Sequence, residues 1–524
     1  MNVFYICCIA DPFLEVAKRL QKEHGLNPVY WIADKATIKE GDNTEQLLKE
    51  AFPDCIYHEY YSAWHGVFPK EIEEIANDTY VDVDLLRRFS SEEMQSFTMM
   101  NRLDYDRKSF NYMERERFYI RLVKCWSACL DLLKPDLVVA ARIPHRVFDY
   151  VLYLLCQYRN IPMVSFEFSG SFKRLLLLDE FSDPGRIPSI LKERFDYYLA
   201  QNNLDENNLP EDILANYTRT RSNYKVARPV YMKKHDAQNK QILNPFFLIK
   251  RFFTSNHFFG KKSIFVKGSK TKIYKNRKYG IEHAGFALLD WYPMIFAANR
   301  FRKKLRALYG ELAKPVDTSV PYIVLYLHYQ PESTTSPRGD IFTNQQLCIE
   351  TLLKHTPENC MIYVKEHPTQ FMSHTLGQTS RIVDFYKDLS KYSRVRLVPL
   401  EMDSFAIMQN AKAVVTVAGT VGWEALLHHK PVIVFGLCWY EAMKGVLRVY
   451  DEESASKITP FIESYQYDEH AILAYLFAIS DLSFIAYHYD GFQNNKVIAK
   501  EDCVNNMVQA LERYLASKNL INPV

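Results

Sequence analysis

The chain opens on an apolar run, VFYICCIA, followed by DPFLEVAKRLQKEHG, in which Phe13, Leu14, Ala17 and Leu20 recur at helical spacing, and then by a second run, NPVYWIAD. Run, amphipathic stripe, run is the signature of a βαβ unit, and it recurs. Leu122, Cys125, Trp126, Cys129, Leu132 and Leu133 form a helical stripe ahead of PDLVVAA, a helix is expected around FDYVLYLLCQYRN, and IPMVSFEF reads as the next strand. Strands alternating with helices predict a parallel sheet covered on both faces. Between these units, residues from about 41 to 111 are acidic and mixed, which predicts helical insertions, and residues from about 193 to 280 are poorly periodic, which predicts an insertion or a helical linker.

A long amphipathic segment from about Phe286 to Leu312 leads into AKPVDTSVP, whose two prolines and turn formers mark a boundary. Beyond it, YIVLYLH, CMIYVKEHP, VRLVPL, AVVTVA and PVIVFG read as strands, with helices around NQQLCIETLLKH, DFYKDLSKY, SFAIMQNA and WEALLHH. After Phe461 the pattern is helical, in HAILAYLFAI and CVNNMVQALERYLAS. The expected organisation is therefore an N-terminal Rossmann-like domain over 1–315 with an insertion at about 193–280, a C-terminal Rossmann-like domain over 316–480, and helices over 481–524 that return to the first domain. Two such α/β domains facing across a central cleft, closed by C-terminal helices, make the GT-B architecture the expected fold.

Length and composition narrow this picture. A chain of 524 residues, 48% hydrophobic and 24% charged, holds two or three folded domains and is neither disordered nor a small module. No run of eighteen apolar residues occurs, and the apolar N-terminus has no basic segment before it, so a cytoplasmic protein without a signal peptide is expected. The ten cysteines form no C-x-x-C pair, which suggests neither a zinc site nor a disulfide framework. The formal charge of +3 is uneven: residues 231–280 hold thirteen Lys or Arg against one acidic residue, Asp236, leaving about −9 on the rest. Interleaved aromatics, as in NPFFLIKRFFTSNHFFGKKSIF, fit an anionic membrane surface or a polyanionic glycan, and fit a solvated basic loop equally well. No nucleic-acid-binding motif accompanies them, so nucleic acid is not an expected partner.

The densest candidate chemistry lies in AVVTVAGTVGWEALLHHKPVIVFGLCWY, residues 413–440. Gly419, Thr420 and Gly422 follow a short buried strand and open a helix, which reads either as a phosphate-holding turn or as an ordinary βα turn. Lys365, His367 and Pro368 end another strand, where an imidazole beside a proline-fixed turn can reach the same ligand, and Lys365, two residues earlier, is a second phosphate candidate. A third strand ends in LHYQPESTTSPRGD, whose loop carries Gln330, Glu332 and Arg338. Glu332 fits a nucleophile or base in glycosyl transfer and equally a helix cap or salt-bridge partner. Glu424 is placed to accept from ribose hydroxyls or to cap its helix. In the first domain Arg142, His145 and Glu167 fall just past strand ends, where they, with Arg338, could line the acceptor side of the cleft or meet the donor sugar. The D-x-D triplets, Asp82 with Asp84 and Asp104 with Asp106, end no expected strand. They read as surface carboxylates, so no metal site is expected.

Taken together, QPESTTSPRG, YVKEHP and TVAGTVGWEALLHHKPVIVFGLCWY resemble the capsule-polysaccharide biosynthesis family, which includes bacterial β-Kdo transferases. The resemblance is strongest from Tyr322 to Tyr440 and implies a CMP-activated acidic sugar as substrate, with no separate cofactor. It implies that His367 binds the CMP phosphate and that Gly419, Thr420 and Glu424 hold the nucleotide. Retaining relatives place their catalytic carboxylate in Q-x-D, with a glycine seven residues on. Gln330, Glu332 and Gly339 have that spacing, with Glu for Asp and so a reach longer by about 1.5 Å. The expected function is transfer of a Kdo-like or nonulosonic acid onto a bacterial surface polysaccharide or lipid-linked precursor, at the inner face of the membrane if residues 231–280 dock there. A UDP-sugar or glycerophosphate transferase of the same fold, and a non-catalytic glycan- or membrane-binding scaffold, are the alternatives.

Overall fold

A computed structural model describes residues 1–33, 44–105, 107, 110–169, 172, 174–179, 189–222, 288–372, 375–488 and 498–522. The basic stretch 231–280, with the membrane or glycan contact expected of it, lies outside these residues, as do Asp106 and Gly170. The first sheet holds β1 (Asn2–Ile6), β2 (Asn27–Ile32), β3 (Ile56–His58), β4 (Leu137–Ala140), β5 (Met163–Ser169) and β6 (Arg174–Leu178), in the order β3-β2-β1-β4-β5-β6. All its pairs are parallel except β5 with β6. The second sheet holds β7 (Tyr322–Tyr326), β8 (Met361–Lys365), β9 (Val395–Leu397), β10 (Val414–Thr416), β11 (Val432–Val434) and β12 (Val446–Arg448), all parallel, in the order β12-β11-β10-β7-β8-β9. Each sheet starts at its centre, grows to one side, then returns and grows to the other. The molecule is thus two Rossmann-like domains in the GT-B arrangement.

The central strands are apolar on both faces because helices cover both. All five residues of β7 are buried, as are Val3, Phe4, Tyr5 and Ile6 of β1. The helix Ala10–His24 buries Phe13, Leu14, Val16, Ala17 and Leu20 and stops at Gly25, whose φ of 68° lets its N–H bond back to Gln21. Strands β3, β6 and β12 were not expected. β3 and β12 have three residues each, too few to show a period, and Leu175–Leu178 of β6 is a uniform leucine run.

Three segments depart from the expected layout, the first being the helix Leu288–Leu312, which was expected within the first domain and instead buries Leu305 and Tyr309 in the core of the second. The helices between β3 and β4 are core and not appended insertions, since Tyr60, Phe68, Ile72, Leu85 and Phe97 are buried with Trp126 under the first sheet. The helices Ser189–Leu199 and Glu211–Ser222, expected within an insertion of the first domain, join the core of the second: Leu191, Phe195, Ile213 and Tyr217 cluster with Trp423 and Tyr475. Phe195 meets Tyr475 edge-on at 5.4 Å, and Tyr198 donates to Asp481 at 2.8 Å. Conversely, the helix Lys500–Ser517 packs on Ala10–His24 through Cys503, Met507 and Leu511, with a His24–Glu512 pair of 2.7 Å at its rim.

Asp104 is not a surface carboxylate. It is 5% exposed and paired with Arg115 at 3.0 Å, whereas Asp82 caps the helix Val83–Arg88 through the N–H groups of Asp84 and Leu85. Among the described residues no helix is long and apolar enough to cross a membrane.

Candidate active site

Both sheets reverse their direction of growth beside the first strand of the domain, between β1 and β4 and between β7 and β10. Loops leaving the carboxyl ends of strands diverge at such a point and open a crevice. In the second domain the loop 328–343 leaves β7, the turn 417–422 leaves β10, and Lys365 to Phe371 leave β8. Arg142 and His145 leave β4 in the first domain. The two edges meet: Arg338 pairs with Glu167, Thr343 donates to the Gln95 side chain at 3.0 Å, and Gln378 donates to the Tyr105 carbonyl at 3.3 Å. Glu167 and Arg338, each expected to reach a sugar, instead neutralise one another across the domain boundary.

The turn after β10 is shaped by close contacts. Gly419 caps the helix Thr420–Leu427, donates to the Thr416 hydroxyl at 3.2 Å and accepts from the Tyr440 hydroxyl through its carbonyl. A Cβ on Gly422 would lie 2.2 Å from that Tyr440 oxygen, so this glycine makes room for a tyrosine and not for a ligand. Gly422→Ala is therefore expected to destabilise the second domain by about 1–3 kcal/mol through overpacking, read as a lower thermal-unfolding midpoint. Thr420 is exposed at the start of the helix, where N–H groups precede the helix's own acceptors. Glu424, on the same helix, has its carboxyl pushed up to about 7 by burial. The turn is held from β7 by His328, a residue the sequence did not single out. Its Nε2 accepts from the Ala418 N–H at 3.1 Å and lies 2.9 Å from the Thr416 hydroxyl, and burial drives its pKa to about 3, so it stays neutral.

At the end of β8, His367 is half-buried and caps the short turn Pro368–Phe371, with Pro368 in the first position. Its Nδ1 accepts from the Thr369 N–H at 3.2 Å, and burial lowers its pKa. A neutral ring that accepts at Nδ1 carries its proton on Nε2, which makes it a fixed hydrogen-bond donor. Lys365 does not share this role. Its ammonium donates to the carbonyls of Pro399, Leu400 and Met402 at 3.1, 3.0 and 2.8 Å, so it ties down the chain after β9 and has no proton left for a phosphate.

Gln330 is likewise structural. Its amide donates to the Thr343 carbonyl at 2.7 Å and accepts from Arg381, while its backbone N–H bonds Gln370 at 3.0 Å. Arg381, unmarked by any motif, is the hub here. It bonds Glu366 at 3.0 Å and the His328 carbonyl at 3.1 Å, and Glu366 also receives Tyr386 at 2.7 Å and the His367 N–H at 2.8 Å. One buried ion pair thus joins the ends of β7 and β8. Gly339 closes the loop, since a Cβ there would lie 2.7 Å from the Thr335 carbonyl.

Glu332 differs from its neighbours. Solvent reaches it, whereas Gln330 and Thr335 are buried. Its carboxylate accepts from Thr334 at 3.0 Å; desolvation raises its pKa, and Arg102 and Arg338 act against that rise. Arg102 belongs to the first domain and was not anticipated. It is 7% exposed and donates to the His145 carbonyl at 2.7 Å. His145 bonds the Ile143 carbonyl through Nδ1 at 2.7 Å and is held neutral by burial and by Arg146, Arg142 and Arg102.

The model of the family described as capsule polysaccharide biosynthesis protein matches residues 335–483. The capsule polysaccharide modification protein LipA of Neisseria meningitidis, from a serogroup A and a serogroup B strain, is 32% identical over 95 residues, 18% of this chain and 12% of LipA, so the match spans about an eighth of those relatives. Among solved structures, the β-Kdo 2,4 transferase of Thermosulfurimonas dismutans KpsC is 14% identical, covering 71% of this chain and 87% of that one with a TM-score of 0.25. Its β-Kdo 2,7 transferase is 17% identical, covering 43% and 67% with a TM-score of 0.22. The UDP-GlcNAc 2-epimerase of Methanocaldococcus jannaschii is 12% identical, covering 89% and 94% with a TM-score of 0.24. The fold is defined by the two sheet orders. Over residues 335–483, therefore, this chain is similar in sequence to the capsule polysaccharide biosynthesis family, and its two sheets have the order of a GT-B fold.

Proposed function

We propose that the protein is a glycosyltransferase that moves a Kdo-like or nonulosonic acid from a CMP-activated donor to a surface polysaccharide or its lipid-linked precursor. The observation that carries this reading is Glu332, a solvent-reached carboxylate at the meeting of the two domains. It shares the carboxyl edge of the second sheet with His367 and the turn at Gly419. In this reading the donor phosphate is held by the His367 Nε2–H and the first-turn N–H groups after Gly419, which offset the charge that grows as the phosphate leaves. Glu332 either bonds to the anomeric carbon or takes the acceptor hydroxyl proton; retention or inversion in the product distinguishes the two.

The test is a thermal-shift comparison of CMP, UDP and CDP-glycerol, followed by mass spectrometry of products from CMP-sugars and lipid-linked acceptors. CMP is expected to raise the unfolding midpoint at the lowest concentration, because a ligand stabilises according to its concentration over its dissociation constant. Stabilisation by UDP or CDP-glycerol in preference to CMP would replace the donor named here. No stabilisation and no product with any donor would leave a binding scaffold.

A further inference from the structure

The loop that carries Glu332 is held by a chain of hydrogen bonds that begins in the other domain. Gln95 lies on the helix Ser90–Met99, whose Phe97 and Met99 are buried in the core of the first domain. It is 6% exposed, and both ends of its side-chain amide bond the second domain. The amide N–H donates to the Asp340 carbonyl, the amide oxygen accepts from the Thr343 hydroxyl at 3.0 Å, and the Gln95 backbone carbonyl accepts from the Ser336 hydroxyl at 3.4 Å. From there the chain runs to Glu332. The Thr343 hydroxyl is shared with the Thr335 carbonyl at 2.6 Å, and Thr335 bonds the Glu332 carbonyl through its N–H at 3.2 Å and its hydroxyl at 3.1 Å. The Ser336 N–H reaches the same carbonyl at 3.0 Å. Thr335, Ser336 and Thr343 are buried, so water does not readily replace these bonds once they are lost.

The bonds fix a conformation as well as filling space. Asp340, whose carbonyl Gln95 holds, has a φ of 45°, a left-handed backbone that a residue other than glycine adopts at a cost. Such a conformation persists where contacts from elsewhere impose it. The Glu332 carboxylate accepts from Thr334 within the same loop, so its place in the cleft follows the backbone of that loop.

We infer that Gln95 is a positioning residue for Glu332: by tying the loop 332–343 to the first domain, it sets where the carboxylate stands, so a first-domain side chain governs the step assigned to the second. The inference rests on reading the cleft as a glycosyl-transfer site in which Glu332 reacts.

Hydrogen–deuterium exchange of the full chain, set beside transfer kinetics, tests this with Gln95→Leu, Thr343→Val and Thr343→Ser. Leucine and valine keep the bulk of the residues they replace and lose the hydrogen bonds, whereas serine keeps the hydroxyl. Gln95→Leu and Thr343→Val are expected to speed exchange in peptides spanning 332–343 by about tenfold, the scale of one or two lost hydrogen bonds, with β7 and β10 unchanged. Thr343→Ser is expected to exchange as the wild type does. Well below the unfolding midpoint, the first two variants should lower kcat by about tenfold or more and leave the donor KM within about twofold, because the reacting group shifts and the turns assigned to the phosphate do not. Three results overturn the inference: unchanged exchange in 332–343, faster exchange spread evenly over the second domain, or a wild-type kcat in a variant whose loop is released. Where Gln95→Leu does not fold, the contrast between Thr343→Val and Thr343→Ser decides among the same outcomes. A wild type that transfers no sugar from any donor refutes the glycosyl-transfer reading instead; release of the loop in Gln95→Leu then still upholds the tie, and its absence overturns it.

Discussion

Glu332→Gln is expected to reduce transfer by about a thousandfold or more while CMP still stabilises the protein, because in the proposed site the substitution removes the reacting carboxylate and leaves the turns assigned to the phosphate untouched. The amide keeps the size of the carboxylate and can still accept from Thr334, so loss of folding is not the expected outcome. What disappears is the negative charge, which is needed whether the group attacks the anomeric carbon or takes a proton. The same reasoning fixes a pH dependence. Desolvation raises the Glu332 pKa, so the active ionised form is lost as pH falls through a value above that of an ordinary surface glutamate. The acid limb of turnover should therefore lie higher than usual. Near-normal turnover in the glutamine variant, or an acid limb at the ordinary glutamate position, would remove Glu332 from the chemistry.

The largest effect on stability is expected at the pair behind the site. Arg381→Met should destabilise the second domain by about 3–5 kcal/mol, the usual cost of stranding one partner of a buried ion pair. Arg381 and Glu366 are 2% and 0% exposed, and the guanidinium also bonds Gln330 and the His328 carbonyl. Its removal would leave the buried Glu366 carboxyl with Tyr386 and the His367 N–H as its partners among the described residues. Urea unfolding, followed on the second domain's aromatics, measures the loss. The double variant Arg381→Met with Glu366→Leu should be less destabilised than the two single losses combined, since it leaves no orphaned charge. Strict additivity would mean that the pair is not coupled, and the hub assigned to it would fail.

Much of the framework was legible because periodicity reports burial directly. Nine of the twelve strands among the described residues stand where apolar runs predicted them, and the two domains follow from their alternation with helices. The edge strands β3 and β12 were not legible, since three residues flanked by loops carry no period. The helices Ser189–Leu199 and Glu211–Ser222 were misplaced for a different reason: amphipathic stripes show that a helix buries one face, not which domain it buries it against. Of the candidate site residues, the Gly419 turn, His367 and Glu332 were picked out because each ends a recognisable strand in a recognisable motif. Lys365 and Gln330 were misread by the same logic. Strand alternation fixes the face a side chain leaves from, whereas the carbonyls waiting for Lys365 come from the loop after β9.

The sequence by itself determined the two α/β domains, the polar loops at strand ends, and the family to which residues 335–483 are similar. These are local properties, set by residue spacing along the chain. The tertiary structure decided which charges remain available. It paired Glu167 with Arg338, buried Glu366 with Arg381, and brought Arg102 of the first domain within electrostatic reach of Glu332 of the second. Each of these pairings joins residues at least fifteen positions apart, and the worth of a charge depends on the partner and the solvent it meets in space, neither of which is written in its neighbours along the chain.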